Sequence, residues 1–441
     1  MMRSLWSAVS GLQTHQLEMD VIGNNIANVN TTSYKSQATG FQDVLYQTIK
    51  TGAAGTATKG SVNADQIGLG AKMGSININI TKAGSAQTTY NPLDLMITGD
   101  SFFIISPDST TLNYSRDGGF TIDAEGDLVT QNNGYYVMGT MGDGDITEGA
   151  AVTKLRVMDR QTERQGYDAQ GNPYTYMVDT MPGSATTASY MKGNIDSDDP
   201  TLKEGKIVMI EAYGTDGEAY TIKFKIDDAG DDDIGTFNLS VDAILDKQGN
   251  RQPVNKQTFL LNYDKHDGKL LTNQMINLNA GGNLATISLD MSNTSNYASS
   301  MGNHQSTIYA YKGDTKGLNK GYPEGELTGI SVTDNGSIYG KYSNGETIKK
   351  GQIAVAMFNN AMGLEKVGDN LYAESLNSGA AMIQDITQNG GYMQSGVLEA
   401  SNVDLAKEFT DMITTQRGFQ ANSRVITTSD ELLQVLKGLK R

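Results

Sequence analysis

The chain contains no cysteine, which excludes disulfide stapling, thiolate catalysis and cysteine-ligated zinc together. Histidine is nearly missing as well, with only His15, His266 and His304. A hydrolytic triad needs a histidine held between a carboxylate and an activated serine, and no Gly-x-Ser-x-Gly elbow is present. All three histidines are therefore read as surface or interface residues, and no catalytic residue, cofactor site or metal site is expected. No segment approaches the roughly 20 apolar residues of a membrane span. The first 29 residues lack a signal-peptide core, because Gln13, His15, Glu18 and Asp20 interrupt them. Excess positive charge is missing too: 34 basic against 50 acidic residues give a net charge of −16, which argues against nucleic acid or an anionic membrane as partner.

What is present is a chain of 441 residues with 50 glycines and only 7 prolines, long enough for two or three domains and strand- and turn-rich in composition. The charge is unevenly placed. Residues 1–29 and 401–441 together carry seven bases and seven acids, so the whole deficit lies between residues 30 and 400. Neutral ends can pack on copies of themselves without mutual repulsion, whereas an acidic middle keeps a subunit soluble.

Both ends have helical periodicity. Leu5, Leu12, Met19 and Ile26 recur every seven residues, with Val9 and Ile22 at three- and four-residue offsets. Leu405, Met412, Phe419, Ile426 and Leu433 do the same at the far end, joined by Phe409 and a second row of Val425, Leu432 and Leu439. A seven-residue apolar repeat keeps one seam facing a partner helix. Ser401 before Asp404 is the expected helix start, and Lys437, Lys440 and Arg441 suit the negative end. Gly418 and Gly438 each cost about 1 kcal/mol against alanine, so this helix is expected to need partners.

Residues 30–70 are weakly hydrophobic, include the run Thr51–Gly60, and are expected to be a connecting arm. From there the period changes to two, as in Ser75–Ile80, Leu95–Ser106, Lys206–Ala212, Tyr220–Ile226, Thr236–Val241, Ser337–Tyr342 and Gln352–Phe358. The acidic runs Asp196–Asp199 and Asp227–Asp233 lack calcium-loop spacing and are read as solvated turns. The expected fold is mainly β with α-helical ends: nested, discontinuous β domains of sandwich or barrel type, closed by paired N- and C-terminal coiled-coil-forming helices. The terminal helices (1–29 and 401–441) would form an axial domain and residues 30–70 an arm. An inner β domain would take 71–150 and 306–400, and a variable outer β domain 151–305.

Two long runs resemble a known family. Met19–Thr31, with Asn24, Asn25, Ala27, Asn28, Asn30 and Thr31, continues to Tyr34-Lys35 and resembles the N-terminal signature of the flagellar rod and hook proteins. Leu398–Leu405, followed by Met412-Ile413, Gln416-Arg417, Phe419–Asn422 and Val425–Thr428, is similar to the family's C-terminal signature. Gly329–Ile338 and Gly351–Phe358 resemble the hook members more than the shorter rod members. The family usually has glycine where Ser33 stands and often phenylalanine where Tyr34 stands, so a modified turn is expected there. Some relatives cross-link subunits through cysteine, which cannot occur here.

The resemblance implies a self-assembling structural subunit of a hollow helical tube, a universal joint passing torque from rod to filament. It further implies partnership with rod, hook-cap and hook-filament junction proteins, an extracellular location in the flagellum, and passage through the type III export apparatus without a cleaved signal peptide. The seven-spaced rows would line the subunit interface. A distal rod subunit is the nearest rival, and a secreted β-rich adhesin or glycan-active protein the rival of another class.

Overall fold

A computed structural model describes residues 2–56, 58–160, 162–167, 171–229, 235–298, 302 and 304–438. Helices α1 (Met2–Ala27) and α2 (Leu405–Gly438) stand at the two ends, and nearly everything between them is strand, turn or short 3-10 helix. Mainly β with helical ends is the observed class. The chain packs as two units: Met1–Met158 with Ile330–Gly340 and Lys349–Arg441, and Asp159–Gly329 with Lys341–Ile348.

The first unit is built on the strand Phe102–Ser106, whose neighbours in the sheet are Asn113–Ser115, Tyr136–Met141 and Val355–Met357. Phe102, Phe103, Ile104 and Ile105 are all fully buried, which a period of two permits only if both faces are covered. Phe103 and Ile105 enter one core with Leu95, Phe120, Val137 and Ile353, while Phe102 and Ile104 enter a second with Ile80, Tyr114, Phe358 and Tyr372. Residues from positions 80 to 138 and 338 to 393 thus close the same cores, so this unit is discontinuous in sequence.

Residues 37–78 form one long antiparallel hairpin. Gln37–Asp43 pairs with Ala71–Ile78, Tyr46–Lys50 pairs with Asp65–Gly68, and the bridges Ala53–Val62 and Thr56–Lys59 continue the ladder toward the tip. The stretch read as a plain arm is therefore paired backbone. The alternating signal was diluted because the return strand lies beyond residue 70 and the tip is glycine-, alanine- and threonine-rich. Among its described residues the hairpin has no core of its own: Leu45, Tyr46, Ile49 and Val62 are exposed.

The second unit is a sandwich. Lys206–Tyr213, Ala219–Asp228, Thr236–Leu245 and Thr258–Asn262 make one sheet; Met275–Leu278, Ile287–Asn296, Ala188–Ile195 and Tyr309–Lys312 make the other. In Ala219–Asp228 every second residue is buried (Tyr220, Ile222, Phe224, Ile226), meeting Leu289, Met291 and Met191 of the opposite sheet in one core.

Candidate assembly interface

Helices α1 and α2 pack antiparallel within the first unit. Asn25 Nδ2 donates to Glu408 Oε1 at 3.1 Å. Further along, Gly418 lies against the His15 ring and Gly11 against Asn422. A methyl group at either glycine would come within 2.7 Å of its neighbour, so both positions hold the helices at close approach. That explains the glycine inside α2, which helix propensity alone counts as a cost.

On α2 the seam of this pair is polar. On α2, the buried positions are Glu408, Thr415 and Ser429, and half-buried Asn422 completes that seven-residue spacing. The apolar row of α2, expected at the subunit interface, lies beside this seam and not in it. Met412, Phe419 and Ile426 flank it half-buried, while Leu405, Phe409 and Leu433 are exposed, Phe409 at 50% and its neighbour Ile413 at 58%. On α1, Ile22 is buried, and Leu5, Leu12, Met19 and Ile26 are half-buried. Packing within one chain thus uses polar residues of α2 and leaves Leu405, Phe409 and Ile413, spaced four apart, facing outward. The start of α2 also differs from expectation. Asp404 itself is the cap, its Oδ1 accepting from the Ala406 and Lys407 amides at 3.0 and 3.3 Å. Leu439, Lys440 and Arg441 lie outside the described residues.

The signature residues after α1 form a lock. Asn25 Oδ1 accepts from the Gln37 amide (2.9 Å) while its Nδ2 donates to the Gln37 carbonyl (2.8 Å). Asn24 Nδ2 donates to Tyr34 Oη, Asn28 Nδ2 to the Asn24 carbonyl, and Thr31 Oγ1 to Asn28 Oδ1. Ala27 and Asn30 are exposed and take no such part. In the second signature, Gln416 and Arg417 are exposed, with Arg417 reaching Gln420 on its own helix.

Behind this lock lies an ion pair that sequence reading missed. Lys35 Nζ donates to Glu399 Oε1 at 2.7 Å, with both side chains 1% exposed. Lys35 also donates to the Lys82 carbonyl, and the Gly84 amide donates to Glu399 Oε1. Burial pulls the Lys35 ammonium below the usual lysine value, with Glu399 opposing the shift. Asn402 adds a second tie: Oδ1 accepts from the Ser36 amide at 2.7 Å, and Nδ2 donates to the Asn79 and Lys82 carbonyls. No local pattern advertises such contacts, because the partners are over 300 residues apart.

Ser33 answers the expectation of a modified turn. Its φ of 57° is the left-handed conformation that glycine adopts freely, so the turn keeps a glycine-type geometry with serine in place. Its Oγ donates to the Arg116 carbonyl at 2.8 Å and its amide to the Glu399 carbonyl at 2.7 Å. Ser33→Gly trades strain for the lost hydroxyl bond, each about 1 kcal/mol, and is expected to leave stability within about 1 kcal/mol of the parent. Ser33→Val keeps the strain, loses the bond and adds a β-branch, so it is expected to lower the melting temperature clearly below both. Thermal unfolding of the three proteins checks this ordering.

Glu408 is buried at the foot of the helix pair, and that burial pushes its carboxyl pKa up, against the hydrogen bond from Asn25. A carboxyl raised on folding contributes stability that is complete below its unfolded pKa of about 4.3 and is lost as pH rises through its folded value. Glu408→Gln keeps an acceptor for Asn25 without the charge. It is expected to melt higher than the parent at pH 7 and to match it near pH 4, as a melting series over that range would read.

One of the two acidic runs differs from expectation. Asp196 and Asp199 are buried, not solvated. Asp199 caps the short helix Pro200–Lys203 through the Thr201 amide and pairs with Lys206 at 3.3 Å, and Asp196 lies 3.4 Å from His304 Nδ1. Backbone amides and basic partners replace the water these carboxylates leave. In Asp227–Asp233, residues 231–233 lie outside the described residues. His15 is a packing residue, set edge-on to Phe41 of the hairpin at 6.0 Å.

Comparison with known proteins places these features. Residues 5–35 match the family described as flagella basal body rod protein, residues 96–160 the flagellar hook protein FlgE/F/G D1 domain, and residues 394–439 the flagellar basal body rod FlgEFG protein C-terminal region. The flagellar hook protein FlgE of Borreliella burgdorferi is 34% identical across the full length of both chains. The chain belongs to the flagellar hook protein family. FlgE of Treponema pallidum is 33% identical, again over the whole of both chains, and the basal-body rod protein FlgG of Bacillus subtilis is 30% identical over both. Hook and rod proteins share the terminal segments that carry the lock and the helix pair, and the higher identities fall on the hook side. No helix among the described residues is long and apolar enough to cross a membrane.

Proposed function

We propose that this chain is a non-catalytic structural subunit of the bacterial flagellar hook, which self-assembles into a hollow helical tube and passes torque from rod to filament as a universal joint. The observation that carries the reading is the outward row Leu405, Phe409 and Ile413 on a helix whose own seam is polar. Exposed apolar residues on that regular spacing are a contact face awaiting neighbours. In this proposal the interface comprises Leu5, Leu12, Met19, Ile22 and Ile26 of α1 with Leu405, Phe409, Met412, Phe419, Ile426 and Leu433 of α2. The terminal helices form the axial domain around the channel and the 30–70 arm contacts neighbouring subunits. Segments 71–150 with 306–400 form an inner β domain, and 151–305 an outer one.

The subunit's partners are then copies of itself, the flagellar rod, the hook cap and the hook-filament junction proteins, and it leaves the cell through the type III export apparatus without a cleaved signal. An acidic, hydroxyl- and amide-rich outer surface suits contacts that slide and exchange water as the tube bends and turns. Electron microscopy of the polymerised full chain tests the proposal. Curved, hollow tubes are expected. Straight rigid tubes would favour a rod subunit, and a chain that never polymerises but binds or cleaves glycans would replace the reading altogether.

A further inference from the structure

The two ends of the helix pair are chemically unlike. At one end, α2 continues past the level at which α1 begins. The register set by Asn25–Glu408, His15–Gly418 and Gly11–Asn422 puts Met2 beside Glu431. Beyond that level Leu432, Leu433, Val435 and Leu436 are exposed, Val435 at 61%, and none of α1 among the described residues lies opposite them. Lys437 stands in the last turn, and the sequence adds Lys440 and Arg441. Asp430 and Glu431 lie one turn back, where Asp430 accepts from Gln434 on its own helix. The tip of α2 is therefore an apolar peg with a basic end, about 10 Å long at 1.5 Å per residue.

At the other end the two helices and the root of the hairpin enclose an open cleft of about 460 Å³. Val21, Ile22 and Ala38 contribute apolar lining, and Glu18, Asp404 and Asp411 line it as well. Glu408 is buried in its wall, and Lys82 and Lys407 also reach it, so four carboxylates face two ammonium groups. The volume is that of a small ligand site, and it is large enough for two or three aliphatic side chains. A cleft lined in part by apolar residues and carrying an excess of carboxylates complements a peg that is apolar along its side and basic at its end.

We propose that the α2 tip of one copy, Leu432–Lys437, docks into this acidic cleft of the next copy along the tube, so that the helix pairs join head to tail. This rests on the hook-subunit reading above and deepens it by naming which segment meets which. A head-to-tail contact of this kind joins different surfaces on the two copies, which generates an open helical assembly instead of a closed dimer. It also gives the tip's apolar side chains a covered position that the single chain lacks.

The absence of cysteine in the native chain makes the test clean. Single-cysteine proteins Ala38→Cys and Leu436→Cys, with Val435→Cys as a second probe of the tip, are added as minor components to an excess of parent protein during polymerisation and then oxidised. The Ala38→Cys:Leu436→Cys or Ala38→Cys:Val435→Cys heterodimer is expected at a yield at least about ten-fold above that of Leu436→Cys with Glu125→Cys, an exposed position remote in sequence from the cleft residues. Polymers that form with no excess over that control overturn the docking and leave the subunit reading standing. Failure of the parent chain itself to polymerise overturns the reading on which the docking rests.

Discussion

Phe409→Asp and Ile413→Asp are expected to abolish polymerisation while leaving the monomer folded. Both side chains are at least half exposed in the single chain, so neither substitution opens a cavity or strands a charge in the monomer. In a tube wall the same carboxylate would be buried against an apolar neighbour in every subunit. At roughly 3 kcal/mol or more for an unpaired charge, the critical concentration rises by about two orders of magnitude. Leu12→Asp and Ile426→Asp should block assembly too, but both positions are half-buried against the chain's own packing and would weaken the helix pair as well. Sedimentation of polymer from matched concentrations, with circular dichroism of the supernatant, separates the two effects. Normal polymer from the Phe409 and Ile413 variants would mean that the exposed row is not an interface.

The second large effect is expected at Lys35 and Glu399. Removing one partner of a buried pair leaves the other charged, dehydrated and uncompensated, which costs about 3–5 kcal/mol. Glu399→Gln and Lys35→Met should each lower the melting temperature of the unit by roughly 6–20 °C on the scaling for domains of this size. The double replacement Lys35→Met with Glu399→Met should lose less than either single change, because it removes both burial penalties. The pair ties the turn after α1 to the strand Val397–Glu399 before α2. Its loss should therefore also loosen the base on which both helices stand, and polymer yield should fall with stability. A double variant less stable than both singles would show that the pair itself, and not the avoidance of a stranded charge, holds the junction.

What could be read from the sequence follows from range. Alternation marked Lys206–Ala212, Tyr220–Ile226 and Thr236–Val241, all inside the strands Lys206–Tyr213, Ala219–Asp228 and Thr236–Leu245, because a half-covered sheet writes its buried face directly into the order of side chains. The two terminal helices were equally legible from their seven-residue rows. What the rows could not show was which partner they face. Sequence reading assigned the apolar rows to the subunit interface and counted Gly418 as a cost, but it gave no sign that close approach at Gly11 and Gly418 lets a polar row of α2 make the seam within one chain. Lys35, Glu399 and Asn402 lay within the family-like runs, but nothing in their own neighbourhoods showed which partners they take, since those partners come from distant segments. The hairpin at residues 37–78 fell between these cases: its outer strand alternates, but its partner and tip are diluted by small residues.

The measurement that reaches the centre of the account is polymerisation of a chain lacking residues 1–29 and 401–441, compared by electron microscopy with the full chain under the same conditions. The account predicts tubes from the full chain and only dispersed, folded β units from the shortened one. Hook-like tubes built by the shortened chain would contradict it, because the wall would then be standing without the helices proposed to make it.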